Sequence, residues 1–392
     1  GRGRHVDEIR GDETRDDARG GASDGDGIRG VAAGTAAVPL SVLDLVTVGQ
    51  GRTATQALRT SVDIAKLTES RGFHRFWVAE HHAVPGIASG APPLLIGAIA
   101  DRTSRIRVGS GGMLPDHQPI VVAEQFAMLE AMHPGRIDLG VGRSLGFTAP
   151  VRDALRTHKA DADDFAADIE ELRGYLHGTA ELTVRPRLSE PPPIFVLGTR
   201  QGMRLAARLG LPVVVAGPLL RQGSEPFDRY RADFRPGTPG AEPYVVVGLD
   251  ILIADTEAEA RELQLPEAWA MAVSREAGAF PPLSPVEEIR RQPMTERRRR
   301  IVDETAKGSL AGTEDQVAEG LEKLIASTGA NEKSLIKSGL VVVEEDEIDV
   351  IGHGEADALV VAEHAVPLPL VEVRDLLLAQ VPVHQGLQVE HL

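Results

Sequence analysis

Apolar residues along this chain come in short blocks, each followed by a longer segment where they recur at helical spacing. Ser41–Val46, Arg75–Ala79, Arg105–Gly109, Arg136–Val141, Ile194–Leu197 and Val213–Ala216 read as short buried strands, and Tyr244–Ala254 as a longer seventh. Between the first two, Thr55–Arg71 carries Ala57, Leu58, Val62, Ala65 and Leu67 on one side of a helix that Gly72 stops. Further helices are predicted over Pro92–Thr103, with proline near the start, Ile120–Met132, 161–177, Gly202–Leu209, Glu257–Ala272 and Glu314–Ala326. Short apolar strands alternating with helices imply parallel βαβ units. Such a run with no evident split predicts an α/β fold, a (β/α)8 TIM barrel, over an open Rossmann-like sheet. The missing GxGxxG between the first strand and helix also counts against the open sheet.

Two stretches break the rhythm. Residues 274–300 hold Pro281-Pro282, Pro285 and the run Arg297-Arg298-Arg299-Arg300, and read as an insertion between barrel elements. The arginine run fits a solvated face; the alternative is a phosphate clamp. After Ala330 the chain turns acidic and irregular (Glu344-Glu345-Asp346-Glu347), with a last strand expected at Leu340–Val343 and a helix at Leu370–Gln380. Residues 1–37, rich in Gly, Asp and Arg, cannot bury enough apolar surface to offset their ordering entropy. They are expected to be a disordered or non-native extension, with the barrel over 38–343 and an irregular segment over 344–392.

Composition narrows the function classes. The 392 residues carry a net charge of −16, which disfavours nucleic acid and anionic membrane surfaces as partners. There is no cysteine, so disulfides, thiolate nucleophiles and Cys-ligated metal centres are excluded. No apolar run reaches the ~18 residues of a membrane span. The N-terminus lacks the basic-then-apolar order of a signal peptide, and a cytoplasmic protein is expected.

In a barrel the C-terminal ends of the strands converge on one mouth. The strand ends offer Asp44; Glu80, His81 and His82; Ser110, Gly111, Gly112 and Met113; Gly140, Gly142, Arg143 and Ser144; and Gly198, Thr199, Arg200 and Gly202. Gly198-Thr199-Arg200-Gln201-Gly202 leads straight into a helix, whose free N–H groups bind anions, and Arg143 can pair bidentately with phosphate oxygens. Each taken alone reads better as an ordinary turn glycine or a surface arginine. Together in one mouth they point to a phosphorylated ligand. Gly111-Gly112 suits backbone passing close to a flat ligand, or a simple flexible loop. Glu80, His81 and His82 suit acid–base work by an imidazole. No metal site is expected, because adjacent histidines diverge and no further ligand pair stands at metal spacing.

These segments resemble the bacterial-luciferase-like flavin monooxygenase family. The resemblance rests on SVLDLVTV, ESRGFHRFWVAEHH, TSRIRVGSGGMLPDHQPIVVAEQFAMLEAMHPGRIDLGVGR, IFVLGTRQGMRLAARLGLPVVVAG and AGTEDQVAEGLEKLIASTGA, over roughly residues 39–330. It implies a barrel that binds reduced FMN at its mouth and reacts it with O2 through a C4a-peroxide to oxygenate a small organic substrate. A separate reductase would supply the flavin. It implies His81 as the catalytic residue, with Glu80, His82, Ser110, Gly111, Gly112, Arg143, Thr199 and Gly202 around the cofactor. Arg143, Thr199 and Gly202 fall at the phosphate, and Gly111-Gly112 at a non-prolyl cis peptide under the ring. It also implies a homodimer through the helices after strands two and three. Gly202 stands where many relatives carry a hydroxyl and Leu45 where close relatives are often polar, and the chain after 330 departs from the pattern. The alternatives are hydride transfer with F420 on the same barrel, and a flavin-binding protein without catalysis. Phe147, Phe280 and Met271 are candidate pocket-lining residues, with core packing as the other reading.

Overall fold

The computed structural model describes residues 38–113, 117–143, 148–156, 162–238 and 240–337. Its elements in order are β1 (Leu40–Asp44), α1 (Ala54–Ser70), β2 (Arg75–Val78), α2 (Pro92–Ala100), β3 (Arg107–Met113), α3 (Pro119–Met132), β4 (Ile137–Gly142), α4 (Ala149–Leu155) and α5 (Ala162–His177). There follow β5 (Ile194–Leu197), α6 (Arg200–Leu209), β6 (Val213–Ala216), a 3-10 turn (Gly217–Arg221), α7 (Glu225–Asp233), β7 (Val245–Leu249) and β8 (Ile251–Ile253). The last are α8 (Glu257–Leu263), α9 (Leu265–Ala277), α10 (Val286–Arg291), α11 (Glu296–Ala306), β9 (Leu310–Gly312), α12 (Glu314–Thr328) and β10 (Glu332–Lys337).

Eight strands close in the order β1-β10-β7-β6-β5-β4-β3-β2. Every pair is parallel, and β1 seals the ring by pairing with both β2 and β10. This is the (β/α)8 barrel that the alternation predicts. Strands such as β2 (RFWV) and β7 (VVVGL) are buried at every position, because helices cover one face and the barrel interior the other. Local signals set the helix ends. Thr53 and Gln56 form a capping box at α1, as do Thr256 with Glu259 at α8 and Thr313 with Gln316 at α12. Among the described residues no helix is long and apolar enough to cross a membrane.

The structure corrects several boundaries. The long seventh strand is broken at Asp250: β7 stays in the barrel, while β8 leaves it and pairs with β9 in a separate two-stranded parallel sheet. The single helix expected over Glu257–Ala272 is two, since Pro266 has no N–H to continue α8 and instead starts α9. Barrel closure falls to Glu332–Lys337, earlier than the expected strand at Leu340–Val343, which lies outside the described residues together with the helix expected at Leu370–Gln380 and residues 1–37. The arginine run sits on α11, where Arg298 bonds Glu276 at 2.7 Å and stacks 4.9 Å over the Trp269 ring.

The N-terminal end of the barrel is closed by ions. Arg75 donates to Asp138 at 2.7 Å and to Glu332 at 2.9 Å. Arg107 Nη2 and Trp77 Nε1 also reach Asp138, at 2.7 and 3.1 Å, and Tyr244 donates to Glu332 at 2.8 Å. Asp138 and Glu332 are wholly buried. Burial opposes the Arg75 charge, but the two carboxylates outweigh it and hold its pKa above the ordinary value. Gly109 makes room for this network: a Cβ there would stand 2.8 Å from Trp77 Nε1 and 2.6 Å from the Asp138 carbonyl oxygen.

Candidate active site at the barrel mouth

At the opposite end, β2 to β5 are consecutive staves, so the ends predicted to carry chemistry share one arc of the rim. With strands spaced ~4.8 Å apart, that arc is on the order of 10–15 Å long. His81 and Arg143 follow β2 and β4 on the same rim.

The loop after β2 is held from three sides. Ala79 N–H donates to the Asp44 carbonyl oxygen, His81 N–H to Ser89 O at 2.9 Å, and Gly86 N–H to Phe280 O at 2.9 Å. A Cβ on Gly86 would lie 2.1 Å from the Pro281 carbonyl oxygen, so only glycine lets the 274–300 region close on this loop. Phe280 packs with Val84, Ala270 and Leu283, with Met271 at the edge of the same cluster. Asp44 is buried, and its Oδ1 accepts from Val46 N–H at 2.8 Å. Phe147 and Ser144 lie outside the described residues.

His81 is half-buried. Burial is the main influence on its imidazole, the Glu80 carboxylate pulls the other way and His82 adds to burial, and the pKa falls to about 4. At neutral pH the ring is uncharged, as a proton acceptor must be. Glu80 turns inward with its side chain 4% exposed, and its Oε1 meets His82 Nε2 at 3.0 Å and His117 Nε2 at 2.5 Å.

Ser110 is fully buried, and its hydroxyl donates to Gly140 O at 2.9 Å and accepts from Gly140 N–H at 3.1 Å. The next residues depart from the resemblance. Among the described residues the one cis peptide bond is Arg185–Pro186, so Gly111-Gly112 is trans. Gly112 instead takes φ +116°, and the β3–β4 register shifts between Gly111 and Met113. A bulge thus turns the backbone where a cis bond was expected. A Cβ on Gly112 or Gly142 would reach ordinary van der Waals contact, 3.9 Å from Leu197 Cδ2 and 3.6 Å from Gly112 Cα.

Arg143 Nη2 donates to Gln201 Oε1 at 3.1 Å, which brings the β4 arm to the start of α6. Thr199 is the N-cap of α6 but makes no side-chain cap bond, so the N–H groups of the first turn keep their donor capacity. A Cβ on Gly198 would lie 2.7 Å from Gly202 Cα, so glycine lets the strand end sit against the helix start. Arg200 points away, bonded to Glu225 and Gln222. The predicted residues therefore fall in two groups on one rim, Glu80-His81-His82 and Arg143-Thr199-Gly202, with Gly111 and Gly112 between. The sequence reading missed His117, and it named Gln201 only as part of the α6 start. A usable signal for His117 was its place just before Pro119, the first residue of α3, which puts it in a strand-to-helix loop of the mouth. A separate cleft of about 450 Å3, walled by Arg75, Arg107 and Pro191–Pro193, opens at the opposite end and belongs to the ionic floor.

The model of the luciferase-like monooxygenase family matches residues 38–332. The chain belongs to the luciferase-like monooxygenase family. It is 36% identical over 307 residues to a luciferase-like monooxygenase of Escherichia coli strain K12, covering 75% of this chain and 90% of that one. It is 34% identical to the N-acetyl-S-alkylcysteine monooxygenase of Bacillus subtilis strain 168, with 75% and 91% covered. The crystal structure of apo-MsnO8 superposes with a TM-score of 0.67 at 33% identity, covering 79% of this chain and 94% of that one. Membership makes this chain an oxidoreductase. More distant barrels at 19% and 16% identity, an FMN complex and an F420-dependent dehydrogenase, share the architecture alone.

Proposed function

We propose that this enzyme uses reduced FMN, delivered by a separate reductase, and O2 to oxygenate a small organic substrate. The observation that carries the reading is one rim with Arg143 and the uncapped start of α6 at one end and a neutral, half-buried imidazole at His81. The groups present fit FMN. Arg143 and the first-turn N–H groups after Thr199 suit its phosphate, with Gly198 and Gly202 letting backbone come close. The side-chain-free backbone at Gly112 and Gly142 suits a flat ring, and Ser110 ties β3 to β4 next to them. Ser89, whose buried hydroxyl has no hydrogen-bond partner among the described residues, adds a free polar group beside His81. When bound, reduced FMN supplies the electrons that activate O2. His81 takes or returns a proton through a ring nitrogen, and Glu80 and His82 shape the wall beside it.

Arg143→Ala tests the phosphate end. A hydrogen bond to a charged group contributes about 1.5–3 kcal/mol, so FMN affinity should fall by at least tenfold. Riboflavin, which lacks the phosphate, should bind the variant and the parent alike. Equal loss for both ligands in fluorescence titrations would remove Arg143 from the phosphate site. Oxygen uptake with reduced FMN, and none with reduced F420, separates oxygenation from hydride transfer.

A homodimer through α2 and α3 belongs to the same proposal. Leu94 on α2 and Val121, Met128 and Met132 on α3 are exposed, and the α3 residues stand at i, i+7 and i+11 on one face. Gln125, on that helix, has a buried Oε1 with no partner among the described residues. Sedimentation velocity is expected to give a two-chain species at micromolar concentration; a lone monomer would refute the pairing.

A further inference from the structure

We propose that Glu80, His82 and His117 hold one divalent transition-metal ion, zinc by chemical class. Their ligand atoms all lie within 4.8 Å of one another. Two imidazole nitrogens and a carboxylate oxygen are the donors of three-ligand zinc sites that keep a fourth position open. Bonds of 2.0–2.2 Å set tetrahedral donors ~3.2–3.6 Å apart. The Glu80–His82 separation of 3.0 Å is near that spread, and the 2.5 Å Glu80–His117 edge needs to open by about 1 Å.

Burial singles out Glu80 as the anionic donor. The Glu80 carboxylate is almost fully buried, and its ion-pair partners among the described residues are these two imidazoles. A divalent ion held here would neutralise the buried carboxylate. The site is also reachable: the histidine side chains are 20% and 23% exposed, so one side of the cluster faces solvent. Both arms are held in place. Glu80 and His82 follow β2 and meet the left-handed turn at Ala83 (φ +52°), and His117 adjoins Gln118, the N-cap of α3. Magnesium and calcium are disfavoured, since both demand oxygen ligands. His81 stands between two of the ligands, so an ion there would also stiffen the backbone that presents it.

The test is calorimetric titration of the chelator-treated full chain with zinc chloride, without flavin. One zinc per chain is expected, with no saturable heat from magnesium. His117→Ala and His82→Ala should each weaken zinc binding by about 100-fold or more, because losing even an outer-shell partner costs 10–100-fold. Zinc-edge X-ray absorption of the unsubstituted protein should show two imidazole ligands, an arm that needs no variant to fold. No one-to-one binding, undiminished binding in both histidine variants, or a zinc shell without imidazole would each overturn the proposal. None of these outcomes bears on whether the rim binds FMN.

Discussion

His81→Ala is expected to lower turnover by about 10²- to 10⁴-fold, the usual contribution of a positioned acid–base group. Anaerobic titration should show reduced FMN binding at its parental affinity, because the phosphate end we propose is built by residues following β4 and β5, not by His81. The decisive measurement is oxygen consumption and product formation with a flavin reductase present. A variant as active as the parent would exclude His81 from the chemistry. The pH dependence has a defined sign. Burial lowers the His81 pKa from 6.5 to about 4, so the ring is already neutral above pH 5 to 6. Activity should show no His81 limb near 6.5; its acid limb should lie near 4. Between those values the unfolded chain binds a proton that the folded chain refuses, so this group withdraws stability as pH falls from 6.5 through 4.

Asp138→Ala should be the most destabilising change at the barrel floor. It strands two guanidinium groups and the Trp77 N–H around a vacated, fully buried position. Removing one member of a buried ion network costs about 3–5 kcal/mol, against roughly 0–1 for an exposed pair. Lys66→Ala, at the exposed Lys66–Asp63 pair, is therefore the control and should leave stability nearly unchanged. Urea denaturation at neutral pH reads both. A loss below about 1 kcal/mol for Asp138→Ala would mean that the network balances no more than its own desolvation cost. The floor lies at the end of the barrel remote from the mouth, so whatever Asp138→Ala protein remains folded should bind FMN normally.

The strands most legible in the sequence are those whose every residue is apolar, such as Phe76–Val78 and Val213–Ala216. The closing strand escaped because it begins with Glu332 and Lys333. Glu332 is fully buried for the sake of Arg75, Tyr244 and Ser41, and a buried charge reads as surface until its partners are known. The break at Asp250 escaped for the converse reason: β7 and β8 are both apolar, and only their different partners separate them. The place of Arg143 at a strand end and of Gly198 and Gly202 at the start of α6 was readable because turn and helix-start signals are local. The pairing of Arg143 with Gln201 was not, since it joins two staves of the barrel.

Hydrophobic periodicity alone determined the alternation of strand and helix, and with it a barrel whose strand ends meet at one rim. It also placed Glu80, His81 and His82 at a strand end, because strand termination is written in neighbouring residues. Tertiary structure alone decided that Glu80 turns inward to face His117, which follows it by 37 positions, and that Gly112 makes a bulge. Both depend on which staves lie side by side, and contacts across a closed sheet leave no mark on local spacing.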